Sequence, residues 1–392
     1  MKSLSWASRR ALFGAATFTA FAALAACGSR TGLFGPDLTD LVDAEADVNG
    51  IGNGEGGLDS GKDTSVDAPI DGPIPCMPGT FDFQLATAQL MFVLDRSGSM
   101  AFGLGSDTPP TPPLPTRWRA LHDALSGAIV PFDNQIQMGA KFFPEATADQ
   151  FDPVGACLLM SGVGISPALG NANAILNTFN TTSPKGGTPT ALAITYAGQF
   201  LAAARGVART MVVATDGAPN CNGSLNGRTC QCTVTPASQC VDDPQGGYDC
   251  LDDNATVGAI TDLFQNRKIP VYVVGIGGGS FAGVLDSMAV AGGRANSTEP
   301  KYLPGDTPAQ MQTAFSTVRD SVAKCTYLTP SAPTDPDSII VDVAGVPVAR
   351  DTTHVNGWDW SDQEYGVLEL FGDACNTATA MNVSGTITCR DD

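Results

Sequence analysis

Leu90-Met91-Phe92-Val93-Leu94 is an unbroken apolar run that stops on an acid, and the five residues from that acid read Asp95-Arg96-Ser97-Gly98-Ser99. A short apolar run with no polar alternation reads as a strand buried on both faces. Such a strand needs a layer of helices on either side of its sheet, which narrows the possible folds sharply. An extended chain points residues i, i+2 and i+4 the same way. The run therefore delivers one carboxylate and two hydroxyls, Asp95, Ser97 and Ser99, to the same place at the strand's end. These are hard oxygen donors of the kind that hold a divalent cation such as magnesium.

The rest of the middle of the chain repeats the theme. Apolar segments at 89–94, 136–143, 210–215 and 270–276 read as strands. They alternate with segments of helical period at 118–129, 171–179, 189–204, 255–266, 281–291 and 309–324. Strand–helix alternation predicts an α/β fold, a doubly wound and mostly parallel sheet with helices on both faces. Ligands of such sheets bind beyond the carboxyl ends of the strands, where Asp95 falls.

Two later segments add oxygen donors in the same setting. Gly186-Gly187-Thr188-Pro189-Thr190-Ala191-Leu192 is a loop running into a helix, and Met211-Val212-Val213-Ala214-Thr215-Asp216-Gly217 is a strand ending on a second acid. In order, spacing and context the three segments resemble the metal-ion-dependent adhesion site of von Willebrand factor type A (VWA) domains, whose signature is D-x-S-x-S. The resemblance covers roughly residues 87 to 325. It implies that Asp95, Ser97, Ser99, Thr188 and Asp216 ligate Mg2+, or Mn2+ or Ca2+ in its place. It also implies that the cation accepts a Glu or Asp carboxylate from a partner protein, so the chain is expected to bind rather than to catalyse. Many relatives shift the final helix when the metal shell changes, and by that resemblance 309–324 would be its counterpart here.

The donor types suit that role. Magnesium prefers six oxygens at about 2.0–2.1 Å and keeps some waters. Ser and Thr coordinate without adding charge, so a cation held by three hydroxyls and two carboxylates stays electrophilic toward an acidic partner. The chain's own negative charge opposes such a partner, but beyond about 8 Å that repulsion is screened at physiological salt.

The first 26 residues read as an export signal. Lys2, Arg9 and Arg10 give a positive front, and residues 11–26 form an uncharged, mostly apolar run too short to span a membrane. Leu24-Ala25-Ala26-Cys27 resembles the bacterial lipobox, which makes Cys27 the lipid-bearing first residue of the mature protein. Ser8-Arg9-Arg10 hints at twin-arginine export, although Leu12 stands where that pattern usually has Phe. Gly28 in place of Asp after the lipidated Cys27 points to the outer membrane of a bacterial cell envelope. Residues 27–75 are expected to be a disordered tether: from Gly28 on, ten acids face only Arg30 and Lys62, and no apolar period is sustained. Its coil dimension is about 40 Å, enough to hold a globular head clear of a membrane. Loss of the signal moves the net charge from −19 to −22, which excludes nucleic acid and anionic lipid as partners. Lipid alone would hold the protein at the membrane.

The remaining ten cysteines are an even number in an exported chain and predict disulfides. Cys221, Cys230, Cys232, Cys240 and Cys250 crowd a segment, 218–254, that reads as an insertion directly after Asp216. Five is odd, so the segment needs an outside partner, for which Cys157 is the natural candidate. Cys76 and Cys325 flank the expected 76–325 domain and could join its ends, as in some relatives. Beyond it, 326–392 reads as a small β-rich appendage in which Cys375 and Cys389 would close a 15-residue loop, worth about 3 kcal/mol. Zinc in the insertion is disfavoured because Cys230-Gln231-Cys232 is too tight a pair and no His lies near. A metal-dependent hydrolase and a structural, polysaccharide-binding lipoprotein are the rival functions. Against the hydrolase, the chain has only His122 and His354, in no Ser-His-Asp pattern, and no G-x-S-x-G elbow.

Overall fold

The apolar run forms the strand Ala88–Asp95, and its alternate residues enter two different cores. Leu90, Phe92 and Leu94 pack with Trp118, Leu121, Leu125 and Phe315 on one side. Met91 and Val93 pack with Ala193, Ile194, Leu201 and Leu285 on the other. The computed structural model in which this is seen describes residues 72–389 apart from 112, 113, 150, 278 and 380. The expected signal peptide, Cys27 and almost all of the acidic tether lie outside the described residues.

Six strands form the central sheet, in the order Ile165–Ala168, Ile136–Phe143, Ala88–Asp95, Ala208–Thr215, Val271–Gly275 and Leu303–Pro304. All neighbours are parallel except the edge strand Ile165–Ala168, which runs antiparallel to Ile136–Phe143. Helices Arg117–Ile129, Ala172–Thr181 and Pro308–Lys324 cover one face. Helices Thr190–Ala203, Asp253–Thr261 and Ala282–Ala291 cover the other. Local chemistry starts two of these helices. The Thr116 hydroxyl accepts the Arg119 N–H, and the Thr307 hydroxyl accepts the Gln310 N–H ahead of Pro308 in the first turn. Each such cap is worth about 1 kcal/mol. From the central strand Ala88–Asp95 the chain winds outward first to 136–143 and 165–168, then returns to the opposite side at 208–215 and winds the other way. The crevice between Ala88–Asp95 and Ala208–Thr215 is thus the switch point where such sheets place their ligands.

The β-rich part departs from the expected 326–392 boundary. It consists of two antiparallel four-stranded sheets, and both take a strand from before the α/β domain. Gly79–Asp82 pairs with Val383–Ile387, and Gln84–Leu85 pairs with Thr326–Leu328. Segments on either side of the α/β domain therefore build one unit, with that domain inserted between them. Phe83, Tyr327, Val341, Trp358, Leu368 and Ile387 fill its core.

This topology also corrects the expected terminal disulfides. Cys76 bonds Cys389 and Cys325 bonds Cys375, instead of Cys76 with Cys325 and Cys375 with Cys389. The register pairs Gly79 with Ile387, which brings the residues just outside that pair together. Thr326–Leu328 lies against Val367–Phe371, so the short helix Gly372–Thr377 presents Cys375 to Cys325. Within the insertion Cys230 bonds Cys250 and Cys232 bonds Cys240, and Cys221 bonds Cys157 outside it.

Two buried ion pairs fasten the β unit to the α/β domain. Arg209 pairs with Asp362 at 2.8 Å, and Arg294 pairs with Glu369. The Arg294 guanidinium also lies over the rings of Tyr272 and Phe371, 5.5 and 5.2 Å from their centroids. Among the described residues no helix is long and apolar enough to cross a membrane.

Candidate metal centre

Asp95 ends the central strand fully buried, and both of its oxygens are taken. Oδ1 accepts the Ser97 N–H at 2.7 Å, and Oδ2 accepts the Thr215 hydroxyl at 2.6 Å from the neighbouring strand. The chain then turns through a 3-10 helix, Gly98–Ala101, which sets Ser97 Oγ 3.0 Å from Ser99 Oγ. The Ser99 hydroxyl donates to Asp216 Oδ1 at 2.9 Å. Four of the five expected ligands are thereby joined in one hydrogen-bonded cluster at the switch point.

The fifth, Thr188, arrives on a loop laid against that turn. Gly98 N–H donates to the Gly186 carbonyl at 3.0 Å and Lys185 N–H to the Arg96 carbonyl at 2.9 Å. Gly186 adopts φ +78°, and a Cβ there would sit 2.7 Å from the Ala156 carbonyl. Only glycine combines that left-handed backbone with so close an approach. Thr188 itself is buried, 6 % exposed.

Electrostatics at the centre are strained toward a cation. Burial first, and then the charge of Asp216, push the Asp95 carboxyl well above the usual carboxylate range, against the hydrogen bonds from Thr215 and Ser97. Burial also raises Asp216, although Arg117 and Ser99 pull the other way. Burial works against the Arg117 charge, but Asp216 and Asp107 together hold its pKa above the ordinary arginine value. Two carboxylates and one guanidinium thus lie together almost wholly buried, with Ser99 half-buried beside them. The donor set fits a hard divalent cation: two acids that repel each other, flanked by neutral hydroxyls.

Arg117 was not legible as part of this site. It opens the helix Arg117–Ile129, and Nη1 donates to Asp216 Oδ2 at 2.7 Å. Its Nη2 reaches the Ser106 carbonyl at 2.9 Å and Asp107 Oδ1 at 2.7 Å. The guanidinium therefore ties the segment ahead of its helix, at Ser106 and Asp107, to the second acid. No local pattern marks an arginine for a partner 99 residues away. Asn220 was missed for the same reason: its Oδ1 accepts the Thr188 N–H at 2.7 Å.

The other candidate chemistry lies elsewhere. Cys230, Cys240 and Cys250 bring their sulfurs within 4.8 Å of one another, but all three are in disulfides, leaving no thiolate for zinc. His122 hydrogen-bonds Asp123 on its helix and packs edge-on to Phe179. His354, in the β unit, bonds Asp359 and stacks on Phe371.

No protein-family model and no curated protein matches this chain. Solved structures with a similar fold include the PilB minor pilin of Streptococcus sanguinis, at 17% identity and TM-score 0.42, covering 65% of this chain and 63% of that one. The pilus adhesin SpaC of Lactobacillus rhamnosus GG in its open conformation shows 13% identity and TM-score 0.42, over 79% of this chain and 41% of its own. A von Willebrand factor type A structure from Catenulispora acidiphila shows 13% identity and TM-score 0.40, over 83% and 68%. The chain spans less than two thirds of the two pilus proteins' length. These are likenesses of fold.

Proposed function

We propose that this chain is a lipid-tethered VWA-type module of the bacterial envelope that binds a protein ligand through a divalent cation. The observation that carries the reading is the meeting of Asp95, Ser97, Ser99 and Asp216 in one hydrogen-bonded cluster at the switch point, the last two being 117 residues apart in sequence. Asp95, Ser97, Ser99, Thr188 and Asp216 would hold Mg2+, with Mn2+ or Ca2+ able to replace it. The bound cation would supply a Lewis-acidic point that accepts a carboxylate oxygen from the partner. The chain's own residues do the rest. Asp95 and Asp216 attract the ion, the hydroxyls bind it without neutralising it further, and Arg117 fixes one oxygen of Asp216 in direction.

Capture of partners from native envelope with the immobilised full chain tests this reading. In Mg2+ the expected result is a protein that is released by chelator and is not retained by Asp216→Ala. A partner held equally with and without chelator contradicts it. Capture of a polysaccharide, or turnover of an ester or peptide panel, would favour the rival functions instead.

A further inference from the structure

We propose that Asn220 is a positioning residue for Thr188, and that the disulfide-stapled insertion is the buttress through which it acts. The inference rests on the reading of Thr188 as a metal ligand and extends it. A neutral hydroxyl is a weak donor whose contribution depends on being held in place before the ion arrives. A loop that must be ordered on binding loses that contribution to conformational entropy.

Asn220 satisfies both backbone groups of Thr188. Its side-chain oxygen accepts the Thr188 N–H at 2.7 Å, and its own N–H donates to the Thr188 carbonyl at 3.0 Å. Asn220 is itself fixed from behind, since its Nδ2 donates to Thr233 Oγ1 at 3.0 Å. The Thr233 hydroxyl and N–H in turn both donate to the Asp249 carbonyl, at 2.7 and 2.9 Å. Thr233 follows Cys232 and Asp249 precedes Cys250, so both ends of this relay are stapled, by Cys232–Cys240 and Cys230–Cys250.

The third disulfide closes the clamp from the side. Cys157–Cys221 lies directly against Gly187, where a Cβ would sit 2.8 Å from Cys221 Sγ and 3.2 Å from Cys157 Sγ. Gly187 N–H donates to the Ala156 carbonyl at 2.9 Å, one residue before Cys157. Cys221 holds φ +77°, a left-handed backbone unusual for a side-chain-bearing residue, and its N–H donates to the Tyr248 carbonyl at 2.7 Å. The hydrogen bonds of Asn220 to Thr188 and the disulfide packed against Gly187 both lead into the insertion, which gives a cysteine-rich segment directly after Asp216 a role.

Mg2+ titration of the full chain by calorimetry tests the relay as a double-mutant cycle. Asn220→Ala is expected to weaken Mg2+ about tenfold, Thr233→Val about threefold, and Thr188→Ala at least as much as Asn220→Ala. In the Thr188→Ala background Asn220→Ala should change Mg2+ affinity no further, while still lowering the unfolding temperature as it does alone. That epistasis is the readout a merely structural role would not produce. If Asn220→Ala weakens Mg2+ equally in both backgrounds, or neither Asn220→Ala nor Thr233→Val changes the affinity while Thr188→Ala does, the positioning role is overturned. If Thr188→Ala itself leaves the affinity unchanged, the ligand reading fails instead. Should Asn220→Ala not fold, Thr233→Val alone decides, since loss of its hydroxyl removes only the outer step of the relay.

Discussion

Replacing Asp95 by Asn is expected to give a protein that is more stable than the parent in chelator and that gains far less stability from saturating Mg2+. The side chain keeps its shape, and its remaining oxygen can still accept the Ser97 N–H. The Thr215 hydroxyl, which now donates to Asp95, can reverse and accept. What disappears is a buried negative charge that both burial and Asp216 disfavour. Relief of such a charge is worth about 1–3 kcal/mol without metal. With metal that advantage shrinks, and it reverses where the binding contribution exceeds the relief. An ion that binds only the folded state at a hundred times its Kd adds about 2.7 kcal/mol to the parent. A variant lacking a charged ligand should bind at least ~100-fold more weakly and gain almost nothing. Urea unfolding at pH 8 with chelator and with Mg2+ checks both halves. Destabilisation by Asp95→Asn in chelator, or equal stabilisation of both proteins by Mg2+, would contradict the account of the site.

Truncating Glu369 should produce a large loss of stability at a residue far from the site. Glu369 lies on Val367–Phe371, only 6 % exposed, and accepts from Arg294 across the junction of the two units, with Ser321 and Ser361 as further donors. Arg294 is 7 % exposed in its side chain, sandwiched near Tyr272 and Phe371, and its Nε already lacks a partner. Without the carboxylate a full positive charge stays buried between two aromatic rings. Breaking a buried pair from one side costs about 3–5 kcal/mol, whereas replacing both partners by apolar residues is often neutral. Glu369→Ala is therefore expected to lower the unfolding free energy by about that amount, and Arg294→Met with Glu369→Leu to restore most of it. Equilibrium unfolding in urea measures both. A loss below about 0.5 kcal/mol for Glu369→Ala, the range of an ordinary surface change, would mean that the pair does not hold the units together.

Where the sequence was readable, the reason is periodicity. The strand at 136–143 and the helices beginning near 118 and 309 carry enough apolar residues in register for local pattern to decide them. The edge strand Ile165–Ala168 escaped because it is four residues long and contains Pro167, which ordinarily argues against a strand. It is tolerated at the sheet edge, where Gly139 leaves room: a Cβ there would meet Pro167 Cδ at 2.7 Å. Gly79–Asp82 and Gln84–Leu85 are too short and too polar to signal a pairing with segments more than 240 residues later. The terminal disulfides follow from that pairing and were unreadable with it. Asp95, Ser97 and Ser99 were visible because they share one strand end. Arg117 and Asn220 were not, because each is defined by a partner on another element.

Five side chains from three segments should surround one cation, and Mn2+ makes that ion visible. Crystals of the chain grown with Mn2+ should show an anomalous scattering peak enclosed by Asp95, Ser97, Ser99, Thr188 and Asp216, and none in Asp95→Asn crystals. An absent peak there, or a manganese ion held only elsewhere on the molecule, would contradict it.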